Sequence, residues 1–406
     1  MGGVAGIVLV PAEADATARF AGRTLVDRAR ALARAAGLQP VVFVATTPGP
    51  RAWLSALAGP DHPVRRPGDP LPDLLDADRP VVCWRCDVAF TAGLLREVLA
   101  EGAPRTRVEC DDEGRVALVR CDAGRLGARA PADLARLAEL LDAEAAAPAP
   151  GRPIAVPCAA GDRARRAAEA RLVATLENPR DGLFDRLLNR PLSRRLTPLL
   201  LDAPVTPNQV TMLSLAVGLV AAAAFAGPGS AWPVVGALLV QATAVLDCVD
   251  GEIARAKVLE SAWGEILDVT SDTVIHVLAF LGIAVHAWPG LGARRAWILA
   301  ALFASGGLLS FLVVTRAERT EERWKPSGSR SARLLASMLA TLTTRDLSVL
   351  LLVAALLGLL RPLLVGAAFG AHAFWALALA LHARAMREAA AGAASRDTPQ
   401  ERSVTR

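Results

Sequence analysis

The sequence predicts two domains, an N-terminal α/β domain followed by an all-α integral membrane domain of about six transmembrane helices. Two observations lead to this fold class. In roughly the first 150 residues, short apolar runs alternate with helical patterns, and such alternation favours a mostly parallel sheet. From residue 209 onward, apolar runs recur that are long enough to cross a bilayer, which takes about 20 residues each.

The N-terminal domain is expected to cover residues 1–150. Its strands are predicted from the apolar runs 4–10, 40–46 and 80–90, each followed by a helical pattern. The chain begins without the basic segment and the extended apolar segment of a signal peptide. We therefore expect this domain to stay in the cytoplasm.

The order of these elements resembles the nucleotidyltransferase fold, in which a glycine-rich loop follows the first strand and a later strand ends in a metal-binding Asp. Asp87 stands where that Asp would be. The loop, however, reads Pro11-Ala12-Glu13-Ala14-Asp15 and lacks the glycines that let the backbone approach a phosphate. We therefore expect a degenerate, catalytically silent domain with Asp87 as a strand-end residue. An active cytidylyltransferase is the alternative.

Residues 151–204 are predicted to form a linker and an interfacial amphipathic helix. The stretch 182–201 mixes leucines with arginines, a pattern typical of a helix that lies on a membrane surface. A soluble amphipathic helix that packs on the first domain is the alternative. Thr206 and Pro207 then stand where a first span is expected to begin.

The membrane domain is expected at residues 205–390, with a cytoplasmic tail at 391–406. Only Arg361 and Pro362 separate the last two of its apolar runs, which form either a tight helical hairpin or a single stretch. We treat them as two spans. The runs lie near 209–227, 231–249, 267–288, 297–315, 347–362 and 363–381.

The basic residues of this region indicate its orientation. They crowd the connections after the second and fourth runs and the C-terminal tail, so the positive-inside rule puts both termini in the cytoplasm. We expect a multi-pass protein of the cytoplasmic membrane. The formal net charge of +5 is better explained by anionic lipid headgroups than by nucleic acid, which we do not expect as a partner.

Residues 247–272 read DCVDGEIARAKVLESAWGEILDVTSD and place four aspartates beside apolar runs. A charge at membrane depth costs at least about 2.5 kcal/mol, and such residues usually face a cavity, a partner or an ion. Spacings of three and four residues put Asp247 with Asp250, and Asp268 with Asp272, on shared helix faces. We expect all four carboxylates to converge near the cytoplasmic ends of two helices. Pairing with nearby Arg and Lys side chains is the alternative.

The chemistry of these side chains favours a hard cation. Carboxylate oxygens without His or Cys are typical of Mg²⁺ or Mn²⁺ sites rather than Zn²⁺ sites. Asp272 lies one turn deeper in its span than Asp268, and poor solvation there favours work as a general base. The pattern predicts phosphoryl transfer at the membrane surface. His276 is either a polar partner of this site or a helix-packing residue.

The frame D-x2-D-G-x2-A-R-x8-G-x3-D-x3-D matches, at all eight positions, the signature of the CDP-alcohol phosphotransferases, also called CDP-alcohol phosphatidyltransferases. The second half of the chain resembles these membrane enzymes of about six helices. The resemblance implies two Mg²⁺ or Mn²⁺ ions, held by Asp247, Asp250, Asp268 and Asp272. It also implies that Asp272 deprotonates the acceptor. The residues implied to contact the cytidine diphosphate are Gly251, Ala254, Arg255 and Gly264.

By the same resemblance, the enzyme would transfer a phosphoalcohol group from a CDP-linked lipid or polyol donor to a small alcohol or phosphoalcohol acceptor and release CMP. CDP-diacylglycerol is the expected donor. Membrane lipids are expected as partners, with a homodimer as one possible assembly. One alternative is a bifunctional cytidylyltransferase that resembles the CDP-inositol-using synthases of di-inositol phosphate. Another is a catalytically silent, membrane-anchored binding or regulatory protein.

An acceptor that already carries a phosphate would need a fixed cationic pocket. Four basic residues at the cytoplasmic ends of spans are candidates, although anchoring of the spans explains them equally well. Arg345 is the strongest, because it adjoins Asp346 at the start of a span. The four candidates are Arg316, Lys325, Arg333 and Arg345.

Overall fold

The chain folds into two compact units, and each unit is formed by three segments that are separated in the sequence. The first comprises Met1–Glu177, Leu192–Val210 and Val249–Gly264, and the second Asn178–Pro191, Thr211–Cys248 and Glu265–Arg406. The structure is a computed structural model that describes residues 4–10, 18–45, 64–66, 68–70, 80–100, 106–126, 131, 133–140, 153–156, 162–176, 181–325, 328–342 and 346–397.

A six-stranded sheet forms the centre of the first unit, with the strand order β5-β4-β1-β6-β9-β8. The strands of the described residues are β1 (Ala5–Val10), β2 (Arg19–Phe20), β3 (Arg23–Thr24), β4 (Val41–Ala45), β5 (Val64–Arg65), β6 (Pro80–Arg85), β7 (Val88–Ala89), β8 (Arg107–Cys110), β9 (Val116–Asp122) and β10 (Ile154–Ala155). In the register of β1, Val8 lies opposite Phe43 of β4 and Trp84 of β6, both parallel. Strand β9 is antiparallel to β6 and β8.

Helices cover both faces of this sheet. The side chains of Val8 and Trp84 pack in one core with helices α1 and α2, while Ile7 packs with Leu134 of α4 on the other face. Before residue 177, the helices within the described part of the first unit are α1 (Leu25–Ala35), α2 (Ala92–Leu99), α3 (Ala123–Leu126), α4 (Leu134–Leu140) and α5 (Asp162–Thr175). The predicted α/β architecture with a largely parallel sheet is confirmed. The antiparallel pair β8–β9 was not expected from the sequence.

The C-terminal region is helical. Among its described residues, five helices are long and apolar enough to cross a membrane: Pro207–Phe225, Ala231–Ala256, Ala262–Leu291, Ala293–Arg319 and Leu360–Ala391. This finding fits an integral membrane protein and agrees roughly with the expected six spans. The helices, numbered onward, are α6 (Arg190–Leu201), α7 (Pro207–Phe225), α8 (Ala231–Ala256), α9 (Ala262–Leu291), α10 (Ala293–Arg319), α11 (Glu321–Trp324), α12 (Arg330–Leu342), α13 (Asp346–Leu356) and α14 (Leu360–Asp397).

The break between the last two apolar runs lies three residues earlier than the sequence suggested. Helix α13 ends at Leu356, and Gly358 adopts a φ of 68°, which favours glycine. The Leu359 N–H then donates to Ala354 O at 2.7 Å, a common way to end a helix. Pro362 instead falls in the first turn of α14, where its missing N–H has no helical acceptor to lose. The fifth run therefore forms a short helix, α13, and the sixth run lies in α14.

Within the second unit, helices α7 and α9 approach each other closely. A Cβ atom on Gly282 would clash with the carbonyl oxygen of Ala222, and the Cβ position at Gly218 is occupied by the Ile275 side chain. Small residues at such contacts are typical of helix packing in membranes. This packing fixes the position of α9, which carries two of the four aspartates.

Candidate active site

Three of the four aspartates come together in the structure. Asp247 and Asp250 lie on α8 and are 4% and 5% exposed, and Asp268 on α9 is half-buried. One carboxylate oxygen from each lies within 4.8 Å of the others. Ligands on opposite sides of a Mg²⁺ ion are about 4 Å apart, so this spacing is of the order that one ion requires. A donor set of carboxylate oxygens alone fits a hard divalent cation.

Asp272 lies one turn beyond Asp268 on α9 and is not a member of this group of three. It is half-buried. His276 Nδ1 lies 2.8 Å from the main-chain oxygen of Asp272. The imidazole of His276 therefore contacts the backbone of its own helix, α9, one turn earlier. The role of Asp272 as the base, and the role of His276, stay predictions.

The last turns of helix α8 have a buried packing face and a more open face. Glu252, Ile253 and Ala256 are buried, whereas Gly251, Ala254 and Arg255 are only partly buried. The Arg255 guanidinium lies over Gly251. A Cβ atom added to Gly251 would lie 3.5 Å from both terminal nitrogens of Arg255. The residues implied to contact the cytidine diphosphate on α8 therefore share the open face.

Gly264 lies at the start of α9, close to the start of α7. A Cβ atom there would lie 3.3 Å from Asn208 Oδ1 and 3.1 Å from Ser261 Oγ. The Ser261 hydroxyl accepts a hydrogen bond from the Gly264 N–H at 3.1 Å. The missing side chain of Gly264 thus keeps the space beside Asn208 open.

The region that carries this geometry also matches a known family. The family model described as CDP-alcohol phosphatidyltransferase matches residues 204–377. These residues form a CDP-alcohol phosphatidyltransferase domain. The resemblance inferred from the eight motif positions is confirmed for this part of the chain.

The curated relatives are similar over part of their length. Several are named "Bifunctional IPC transferase and DIPP synthase". That of Aquifex aeolicus is 36% identical over 127 residues, 31% of this chain and 28% of the relative. That of Rubrobacter xylanophilus is 30% identical over 180 residues, 44% of this chain and 38% of the relative. The "Archaetidylinositol phosphate synthase" of Methanothermobacter thermautotrophicus is 32% identical over 129 residues, 32% of this chain and 62% of the relative. The chain spans less than two fifths of each bifunctional relative described.

The basic residues expected to bind an acceptor phosphate make local contacts where they are described. Arg316 is exposed, at the end of α10. Lys325 pairs with Glu321 at 2.5 Å, and the Arg333 guanidinium donates to Gly328 O. Arg345 lies outside the described residues. The acceptor pocket of this CDP-alcohol phosphatidyltransferase domain therefore stays a prediction.

Asp87 of the α/β region is engaged in an ion pair at the end of strand β6. Arg85 Nε and Nη2 donate to its two carboxylate oxygens at 2.9 and 2.6 Å. This bidentate contact is the strong geometry for Arg with a carboxylate. The loop at residues 11–15, which was expected to lack a phosphate site, lies outside the described residues.

Glu252 holds the motif helix against α6, a role that the sequence did not indicate. Its side chain is fully buried, and it accepts hydrogen bonds from Ser193 Oγ at 2.7 Å and from Thr197 Oγ1 at 2.6 Å. A buried carboxylate requires such donors. Ser193 and Thr197 are one turn apart on α6, and this spacing would have been the only local signal.

Lys257 fixes the chain immediately after α8. Its buried ammonium group donates to the carbonyl oxygens of Leu200, Ala203 and Val205 at 3.3, 2.8 and 3.0 Å. Burial lowers the pKa of Lys257 below its ordinary value. From the sequence, Lys257 was one of the basic residues after the second apolar run and a candidate partner of the aspartates. The structure instead shows that it bridges the turn after α8 and the segment before α7.

Proposed function

We propose that the protein transfers a phosphoalcohol group from a CDP-linked donor, CDP-diacylglycerol, to a hydroxyl acceptor, with release of CMP. The observation that carries this proposal is the convergence of Asp247, Asp250 and Asp268 within a CDP-alcohol phosphatidyltransferase domain. The acceptor oxygen forms a bond to the β-phosphorus while the bond from that phosphorus to the bridging oxygen breaks. CMP leaves with the bridging oxygen.

Asp247, Asp250 and Asp268 would hold Mg²⁺ or Mn²⁺ with Asp272 as a further ligand, and we propose two ions in all. The bound metal would polarise a phosphoryl oxygen and offset the charge that develops on it. Support comes from the donor set, which consists of carboxylate oxygens alone and is typical of these hard cations.

Asp272 accepts the proton of the acceptor hydroxyl in this proposal. It lies on α9 one turn beyond Asp268 and is half-buried, where poor solvation favours work as a general base. A general base of this kind contributes about 10²–10⁴-fold to the rate. The proton thus moves from the hydroxyl oxygen to a carboxylate oxygen of Asp272.

The open face of α8 binds the cytidine diphosphate in this proposal. Arg255 presents a guanidinium, whose planar fork suits a phosphate, and Gly251 and Ala254 leave room beside it. Gly264 keeps space open at the start of α9. The basic residues at the ends of the spans, Arg316, Lys325, Arg333 and Arg345, are proposed to receive the phosphate of a phosphorylated acceptor.

We place the site and the α/β region on the cytoplasmic side of the cytoplasmic membrane. Support comes from the basic residues that flank the five candidate spans. Membrane lipids and a second copy of the chain are proposed partners.

A second candidate function is that of an enzyme that makes a CDP-linked polyol in its α/β region and consumes it in the membrane domain. The observation in its favour is that the relatives from Aquifex aeolicus and Rubrobacter xylanophilus carry names of bifunctional enzymes. Under this alternative, the full chain would release pyrophosphate from CTP in the presence of a polyol phosphate. If no pyrophosphate is released, the bifunctional alternative is excluded and only the proposed membrane reaction remains.

A panel of donors tests the proposal. Purified protein in lipid nanodiscs is incubated with Mg²⁺ or Mn²⁺, with an alcohol and a phosphoalcohol acceptor, and with either CDP-diacylglycerol or CDP-inositol. We expect CMP release with CDP-diacylglycerol. Release with CDP-inositol alone would favour the second candidate, and no CMP with either donor would indicate a silent binding protein.

A further inference from the structure

A buried arginine of the α/β region contacts the last residue of the helix that carries the motif. Arg28 lies on α1 and is 1% exposed. Its Nη1 donates to the carbonyl oxygen of Ala256, and its Nη2 donates to Phe90 O at 2.8 Å. The guanidinium also lies 5.8 Å from the centre of the Phe20 ring. Burial lowers the pKa of Arg28 to about 10, so it remains charged at neutral pH.

The acceptor of this hydrogen bond is a helix terminus. Ala256 is the last residue of α8 and directly follows Arg255. The last carbonyl groups of a helix have no partner within it, and a cation there interacts favourably with the helix dipole. Arg28 therefore caps the helix on which Asp250 and Arg255 lie.

The turn after α8 is fixed in the same core. Val258 adopts a φ of 52°, which is unfavourable for a β-branched residue. Its side chain packs among the residues that line one face of the sheet, including Val8 and Trp84. Ala256 packs in a neighbouring core with Phe20 and Leu25. The surrounding α/β core thus holds this turn in a conformation that the turn would not adopt alone.

We propose that Arg28 is a positioning residue for the phosphotransfer site, and that the α/β region acts as a scaffold that fixes the end of α8. The inference rests on the proposed function, because it assigns the motif helix to the reaction. Capping of Ala256 by Arg28 fixes the rotation and the end point of α8. The orientation of the Asp250 carboxylate and the Arg255 guanidinium depends on both.

Paired substitutions in the full-length protein test this role. Arg28→Met removes both hydrogen bonds, while Arg120→Met is the matched control, because Arg120 Nη1 donates to Val98 O at 2.6 Å within the same unit without contacting α8. The affinity for Mn²⁺ alone is measured by electron paramagnetic resonance without substrates. The KM for the CDP-linked donor and the Tm are measured in parallel.

We expect Arg28→Met to weaken Mn²⁺ binding by roughly tenfold, the order of one lost charged hydrogen bond, and to raise the donor KM. Arg120→Met should change the Mn²⁺ affinity and the donor KM by no more than about twofold, although it should lower the Tm by a similar amount to Arg28→Met. Arg28→Lys keeps the charge and should restore part of the affinity; it also serves if Arg28→Met does not fold. Equal effects of the Arg28 and Arg120 substitutions, or unchanged Mn²⁺ affinity in a folded Arg28 variant, would overturn the proposal.

The Mn²⁺ titration separates this inference from the proposed reaction. Binding of the metal needs no turnover, so it can be compared between variants even if the wild-type protein releases no CMP. Failure of CMP release alone would count against the reaction, and equal Mn²⁺ affinities alone would count against the positioning role.

Discussion

Ser193 and Glu252 are joined by a 2.7 Å hydrogen bond inside the protein, and this bond places the motif helix α8 against α6. Thr197 donates to the second carboxylate oxygen of Glu252 at 2.6 Å. Glu252 lies between Gly251 and Ala254 in the motif, but it points to the packing side. The motif thus combines residues proposed to contact the substrate with one that anchors the helix.

Replacement of Glu252 should destabilise the protein more than replacement of either donor. Glu252→Ala leaves two buried hydroxyl groups without their acceptor, and each unsatisfied group costs about 1–3 kcal/mol. Ser193→Ala removes one donor and leaves the Thr197 bond in place. Thermal unfolding in detergent measures both. A Tm of Glu252→Ala equal to that of the wild type, or higher than that of Ser193→Ala, would contradict this role of Glu252.

Substitutions of the two aspartates on α9 should have different effects. Asp268→Asn should weaken Mn²⁺ binding, since Asp268 belongs to the three-residue group. Asp272→Asn should lower kcat by about 10²–10⁴-fold, the usual contribution of a general base, with a smaller loss of Mn²⁺ affinity than Asp268→Asn causes. Steady-state CMP release and Mn²⁺ titration give the two readouts. Normal turnover by Asp272→Asn would exclude it as the base.

Glu169 on α5 should make stability depend on pH. Its side chain is fully buried; Oε1 accepts from the Ala21 N–H at 2.8 Å, and Oε2 is buried without a hydrogen-bond partner among the described residues. Burial raises the pKa of Glu169 above its ordinary value of 4.5. The folded state therefore binds the proton more tightly than the unfolded state, and this contribution to stability is lost as the pH rises from 4.5 through the folded pKa.

Glu169→Gln removes this titration and retains an oxygen for the Ala21 N–H. The difference in Tm between Glu169→Gln and the wild type should therefore grow in favour of the variant as the pH rises above 4.5. Glu139→Gln serves as a control, because Glu139 is exposed. A difference that stays constant with pH would show that the burial of Glu169 has no such effect.

The contact between α7 and α9 should tolerate no added methyl group. Gly282→Ala places a Cβ against the carbonyl oxygen of Ala222, a backbone atom that cannot rotate away. The matched control is Gly366→Ala, because Gly366 lies in helix α14 with nothing within 4 Å of an added Cβ. We expect a lower Tm for Gly282→Ala and an unchanged or slightly higher Tm for Gly366→Ala, since Ala favours the helix. Equal melting temperatures would contradict the close packing.

Local patterns were sufficient for the fold class and for the shared helix face of Asp247 and Asp250. Strands and helices differ in the period and in the length of their apolar patterns, and both properties can be read from the sequence. Asp247 and Asp250 share a helix face because of their spacing. The convergence of Asp268 with them required in addition that two consecutive helices pack side by side.

Contacts between distant segments left no such signal. Arg28 looks like one of several arginines on an amphipathic helix, and only the folded chain brings it to Ala256. Val258 carries no mark of its place in the α/β core. The end of α13 was predicted too late because the charge of Arg361 and the following Pro362 interrupt the apolar run. The helix ends instead just before Gly358, which has the positive φ that favours glycine.

The most direct test of the central claim is metal-dependent release of CMP by the purified full-length protein in lipid nanodiscs. Wild-type protein and Asp268→Asn are assayed side by side with CDP-diacylglycerol, with and without Mg²⁺ or Mn²⁺, and CMP is quantified by chromatography. The account predicts CMP from the wild type only when metal is present, and little or none from Asp268→Asn. Equal release by the two proteins, or release that persists after the metal is chelated, would contradict a phosphotransfer site at the three aspartates.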